Sequence, residues 1–171
     1  MKISQKIATI FLVFIILFTL LYFLFADNIG VSAKKLEKDA RIASKTDDSW
    51  LAVTDVGEEL GGVLLYNEEF DDWNYHVYLN RPGLDYGYHF RAGGSVPEIE
   101  DNVGVYSFDR ADEQIIMSMN NAKIEKIAVS GRVLQTIDID SDKPFVLVMP
   151  EGCNFSFYDV NKREIEYNKR F

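Results

Sequence analysis

Residues 73–90 read WNYHVYLNRPGLDYGYHF. Two aromatic-rich runs flank Pro82-Gly83, a dipeptide that turns a chain because proline presets φ and glycine tolerates a positive one. The stretch therefore reads as a β-hairpin. A four-residue loop, Arg81 to Leu84, sets opposite Tyr75 and Phe90, Val77 and Tyr88, and Leu79 and Tyr86. These are favourable cross-strand apolar pairs. The other face then pairs Asn74 with Arg91, His76 with His89, and Tyr78 with Gly87. A loop of odd length would slip the register by one residue and set apolar against polar throughout. The even loop makes neighbours of the chain's two histidines.

The same period-two pattern runs outward in both directions. Strands are predicted near Trp50–Thr54, Gly62–Asn67, Trp73–Asn80, Asp85–Ala92, Gly104–Phe108, Gln114–Met119, Lys123–Val129, Val133–Asp138, Phe145–Met149, Asn154–Asp159 and Glu164–Tyr167. Turn formers separate them, among them Gly93-Gly94, Asn120-Asn121, Ser130-Gly131 and Glu151-Gly152. Past Lys45 no segment keeps helical spacing for three turns. The expected fold is all-β, an antiparallel β-sandwich or small barrel of about 9–11 short strands. Phe145 to Met149 is apolar on both faces, so it is expected at the centre of a sheet. From Val146 to Tyr167 the chain reads as a meander, turning at Glu151-Gly152 and Asn161-Lys162 and closing one sheet.

Ahead of this domain, Ile7 to Ala26 reads IATIFLVFIILFTLLYFLFA, 20 residues without a charge. As a helix it covers about 30 Å, the thickness of a bilayer's hydrocarbon core. Residues 1–26 are read as an N-terminal transmembrane anchor, residues 27–46 as a polar juxtamembrane stalk, and residues 47–171 as an acidic extracytoplasmic domain. The alternative is a signal peptide cleaved after Val31-Ser32-Ala33. In the stalk, Ala33, Leu36, Ala40 and Ala43 fall at helical spacing with a weak apolar face, so a short helix and a flexible tether both fit. Charges alternate there, and no polybasic block forms.

Thr46 to Phe171 holds 24 acidic and 11 basic residues. Such a balance argues against nucleic acid and against docking of this domain on anionic lipid. The single cysteine, Cys153, has no internal disulfide partner. His76 and His89, if paired, are candidate ligands for Zn²⁺ or Cu²⁺, or a pH sensor. Asp138-Ile-Asp140-Ser-Asp142 has the spacing that opens a calcium loop, but Lys143 and Met149 stand where an EF-hand needs glycine and glutamate. Glu68 to Asp72 forms a second acidic segment. Asn154-Phe155-Ser156 fits a glycosylation sequon inside a strand. The chain has no G-x-S-x-G, H-E-x-x-H, Walker or C-x-x-C motif.

The stretches GGVLLYNEEFDDWNYHVYLNRPGLDYGYHFRAGGS, DIDSDKPFVLVMP and FYDVNKREI resemble uncharacterised single-pass membrane-anchored β-domain proteins of low-GC Gram-positive bacteria. The resemblance is most specific at Arg81-Pro82-Gly83 and Tyr86-Gly87-Tyr88-x-Phe90-Arg91-x-Gly93-Gly94. In several such domains the last turn looks like Tyr-Asp-x-Asn-Gly; Lys162 stands here in place of that glycine. The resemblance implies location and architecture, with no activity attached. Together these features predict a non-enzymatic binding module at the cell envelope, without cofactor. It would be held in the bilayer by residues 7–26 and would bind a protein or envelope partner, with Trp73, Tyr78, Tyr86 and Tyr88 the candidate contacts. Metal binding or pH sensing at the histidine pair, an immunity-type role, and an envelope hydrolase using acidic residues are the alternatives.

Overall fold

The computed structural model describes residues 5–25, 29–80 and 86–170. It is mostly β, with antiparallel sheets and two short helices beside the N-terminal one. Helix α1 runs Gln5–Phe25 without interruption. Its side chains are described over Ile7–Tyr22, a rise of about 24 Å. Among the described residues, no helix is long and apolar enough to cross a membrane.

Twelve strands among the described residues build three four-stranded sheets. The first, in order β1-β2-β3-β4, uses Leu51–Val56, Leu60–Tyr66, Trp73–Asn80 and Tyr88–Gly94. The middle sheet is ordered β12-β5-β6-β9, from Asn168–Arg170, Gly104–Ser107, Glu113–Ser118 and Phe145–Pro150. The third is ordered β11-β10-β7-β8, from Glu164–Ile165, Cys153–Asp159, Ile124–Gly131 and Gln135–Asp138. Each pair is antiparallel except β12 with β5, which run parallel. A short helix α3, Pro97–Asp101, leads into β5 and begins on proline, whose missing N–H costs nothing in a first turn.

The sheets stack face to face. Leu60, Leu64, Trp73, Tyr75 and Val77 of the first sheet pack on Tyr106, Ile115, Met117 and Val146 of the middle one. On the other side of the middle sheet, Val105, Ile116, Phe145 and Met149 pack on Ile124, Ile127, Val129, Phe155 and Phe157 of the third. The middle sheet is thus a buried layer. Strand β6, buried from Gln114 to Ser118, is apolar on both faces for that reason. The antiparallel β architecture expected of a sandwich is present, and the stack has three sheets.

Two corrections follow from the stack. Phe145–Pro150 is apolar on both faces because its sheet is central, although β9 itself is an edge of that sheet and pairs only with β6. It lies beside β1, where Val148 N–H donates to Asp55 Oδ2 at 2.7 Å. The turn at Glu151-Gly152 carries the chain from the middle sheet to the third, so the meander joins two sheets and closes neither.

A fourth layer covers the outer face of the first sheet. Val31 bridges Tyr88, a 3-10 turn follows at Ala33–Lys35, and helix α2 runs Leu36–Ser44. Leu36 and Ala40 are fully buried against Val63, Leu65, Tyr78 and Tyr88. Arg41 pins the exit from α2, donating to Glu37 Oε1, to the Asp47 carbonyl and to the Trp50 carbonyl at 2.9–3.0 Å. The segment read as a stalk is therefore part of the domain. Its helical spacing was legible; its burial depends on a sheet face that reads as solvent-facing in isolation. Strand β2 shows how tightly it is enclosed. A Cβ on Gly61 would meet Leu36 Cδ1 at 2.6 Å, and one on Gly62 would meet Met117 Cε at 2.5 Å and Val146 Cγ1 at 2.7 Å.

The hairpin register also differs from expectation. Tyr78 faces Phe90, Leu79 faces His89 and Asn80 faces Tyr88, while Val77 faces Ala92 and His76 faces Gly93. The pairing has slipped by three residues from Tyr78 to Asn80 and by four from Tyr75 to Val77, with Arg91 the extra residue of the bulge between them. The turn Arg81 to Leu84 lies outside the described residues. The parity argument fails because both faces of β3 are buried, one by the middle sheet and one by α2. Apolar partners therefore await the strand in either register.

Candidate functional site

A group of partly and fully buried polar side chains lies between α2 and β3. The α2 stripe that buries Leu36 and Ala40 continues one turn on to Ser44. Ser44 Oγ and His76 Nε2 share a hydrogen bond of 2.6 Å. Tyr78, fully buried two residues along the same strand face, donates from its hydroxyl to Asp39 Oδ2 at 2.9 Å. The His76 and Phe90 ring centroids are 5.8 Å apart, and Phe90 stands edge-on to Tyr78 at 6.0 Å. Burial holds the His76 imidazole below its ordinary pKa, with the Asp39 carboxylate pulling weakly the other way. Burial, and then the hydrogen bond to Asp39, push the Tyr78 phenol well above its ordinary value.

A serine on a histidine nitrogen is the first half of an activated nucleophile. The second half is not assembled here. Asp39 accepts from Tyr78, and His76 Nδ1 is buried without a hydrogen-bond partner among the described residues. Ser44 ends α2, where carbonyls rather than N–H groups face outward, so the helix offers nothing to an oxyanion. The arrangement clamps α2 to the sheet and holds one neutral imidazole inside.

The two candidate metal ligands separate. His76 shares the α2 face with Tyr78 and Phe90, whereas His89, between Tyr88 and Phe90, points to the opposite face of the sheet. They are not cross-strand neighbours, which corrects the expected pair. Among the described residues no group of three or more His, Cys, Asp or Glu side chains could hold a metal ion. In the Asp138–Asp142 segment, Lys143 pairs with Asp140 at 2.7 Å and Lys123 with Asp142 at 3.0 Å. The buried Asn120 amide binds the same loop, donating to the carbonyls of Asp140 and Lys143. In the Glu68 to Asp72 loop, Asn67 Oδ1 accepts from the backbone of Asp71 and Asp72. Glu113 fills an anion nest of its own chain, accepting from the N–H groups of Glu58, Glu59 and Leu60 at 2.8–2.9 Å.

Of the four aromatics expected to touch a partner, Trp73, Tyr78 and Tyr88 are core residues. Their apolar bodies fill the layers, and the Tyr88 hydroxyl donates to the Gly57 carbonyl. Tyr86 alone is exposed, at 69%. Cys153 is a buried free thiol, and Asn154 is exposed within β10. Sequence reasoning missed Asp39, Ser44 and Phe90. The i, i+4 series Leu36, Ala40, Ser44 is the signal that could have found the serine.

Comparison with protein-family models, curated proteins and solved structures returns no match.

Proposed function

We propose that the protein is a membrane-anchored binding module of the cell envelope. In this reading the apolar segment of residues 7–26 crosses the bilayer once and the β domain sits outside. The observation that carries the reading is the surface of α1: every described side chain from Ile7 to Tyr22 is exposed, the large apolar ones by 42–69%. A helix apolar all round belongs in lipid or in a core. The β domain completes its own layers with α2, so lipid is the environment that fits α1. Binding rather than catalysis is supported by where the polar groups are engaged. The acidic segments hold their own loops, and the Ser44–His76 contact closes a layer.

The test is a topology measurement. Leu134 stands at the β7–β8 hairpin and is 88% exposed, while native Cys153 is buried. Leu134→Cys, expressed in the full chain, should stay with membranes after carbonate washing and should react with an impermeant maleimide on intact cells. Release by carbonate overturns the anchor. Labelling only after lysis places the domain on the inner face and overturns the envelope reading.

A further inference from the structure

The groove between Gly30–Ser32 and α2 lies next to the point where the chain leaves α1. Its walls are Gly30, Val31, Ser32, Lys35, Lys38, Asp39 and Ile42, around a space of about 440 Å³. Lys34, Lys35 and Lys38 are exposed, and among the described residues none of them joins an ion pair. Of the two acids here, Asp39 lines the groove with one carboxylate oxygen accepting from Tyr78, and Glu37 pairs with Arg41. Three apolar or aromatic side chains stand out at the same end, Ile29 at 62%, Ile42 at 68% and Tyr86 at 69% exposure.

Chain length fixes where this end sits. Five Cα–Cα steps from Phe25 to Gly30 reach at most about 19 Å. Gly30 N–H donates to the Tyr86 carbonyl, and the Val31 and Tyr88 backbones exchange two hydrogen bonds of 2.8 Å. The groove and Tyr86 are therefore held within a short reach of the end of α1. From Thr46 onward the domain is strongly acidic, so its net charge favours meeting a negatively charged surface by the end that carries Lys34, Lys35 and Lys38.

We propose that this end of the domain lies on the bilayer surface. Lys35 and Lys38 hold the phosphate of an anionic phospholipid headgroup, and Ile29, Ile42 and Tyr86 enter the interfacial layer. The inference rests on the reading of α1 as the anchor. It adds a lipid-binding surface on the water-facing domain itself.

The full chain is reconstituted into vesicles of phosphatidylcholine alone, or of phosphatidylcholine with phosphatidylglycerol. Lysine acylation by an impermeant reagent is then read by mass spectrometry, with exposed Lys126 on the third sheet as the internal reference. Lys35 and Lys38 should be protected by roughly threefold or more in the anionic vesicles only. High salt should remove the protection. In Lys35→Glu, protection of Lys38 should fall while the melting temperature stays within a degree or two. Equal reactivity in the two vesicles overturns the proposal. Equal protection by millimolar inorganic phosphate with neutral vesicles assigns the groove to a free anion and overturns the lipid source. Failure of the chain to float with either vesicle overturns the anchor reading instead, and is read separately.

Discussion

The first and third sheets both flank the same middle layer, yet they meet different surroundings on their outer faces. Strand β10 alternates buried and open from Cys153 to Asp159, and β7 does nearly the same, because the outer face of the third sheet is left to solvent. Strand β2 is buried at every residue from Leu60 to Tyr66, because α2 closes the outer face of the first sheet. One sheet has a polar side and the other does not. The comparison teaches that a period-two reading holds only where water lies on one face. It also shows that the helix which changes the rule comes from the least sheet-like part of the chain.

Removing the cover should produce the largest effect. A fragment beginning at Thr46 lacks α2 and bares Val63, Leu65, Tyr78 and Tyr88. It should lose its cooperative melt and bind a hydrophobic dye, whereas a fragment beginning at Ile29 should melt cooperatively. A sharp, dye-free transition from the shorter fragment would show that the fourth layer is dispensable.

Leu36→Ala probes the same contact with one side chain. It should cost about 2–5 kcal/mol by urea denaturation, the range for a fully buried leucine. Thr136→Ala, on the exposed face of edge strand β8, should change stability by no more than about 0.5 kcal/mol. Equal losses at the two positions would erase the distinction between the sheets.

The clamp beneath α2 gives the first sheet a pH dependence near neutrality, whereas that of the third lies in the acid range. His76 titrates below its ordinary value of about 6.5 in the folded chain. The unfolded chain therefore binds the proton first. The stabilisation is complete above pH ~6.5 and is lost as pH falls below it towards the folded pKa. The melting temperature should drop between pH 7 and pH 5, and His76→Gln should flatten that slope. Ser44→Ala should cost about 1–3 kcal/mol by leaving Nε2 buried and unpaired. In the third sheet the corresponding group is Asp159, held low chiefly by the Arg163 backbone N–H. Its stabilisation is lost only as pH falls below the ordinary carboxylate value of about 4.

The smallest effect belongs to the turn after Asp159. Lys162 adopts a φ of 61°, the left-handed region in which a side chain costs energy and glycine does not. Lys162→Gly should raise stability by about 0.5–1 kcal/mol, read as an upward shift of the urea midpoint. A fall would mean that the lysine side chain contributes more to the turn than its backbone strain removes.

Eleven strands were legible because turn residues and alternation are local properties; Trp73–Asn80 was found to the residue. The hairpin partner of that strand was not, since Tyr75 and Val77 on one face and His76 and Tyr78 on the other are equally buried. The candidate site was legible only in part. His76 stood out as a rare titratable residue, but Ser44 lies 32 positions away, and no local pattern joins them.

The sequence by itself determined the β class, the approximate place of eleven of the twelve described strands, the long apolar segment at residues 7–26 and the acidity of the domain, because each depends on neighbouring residues or on composition. The tertiary structure alone decided that there are three sheets, that the polar segment is a fourth layer, and that the histidines face opposite ways. Those outcomes depend on which surface covers which, and apolar residues that suit either face of a strand leave that choice to the rest of the fold.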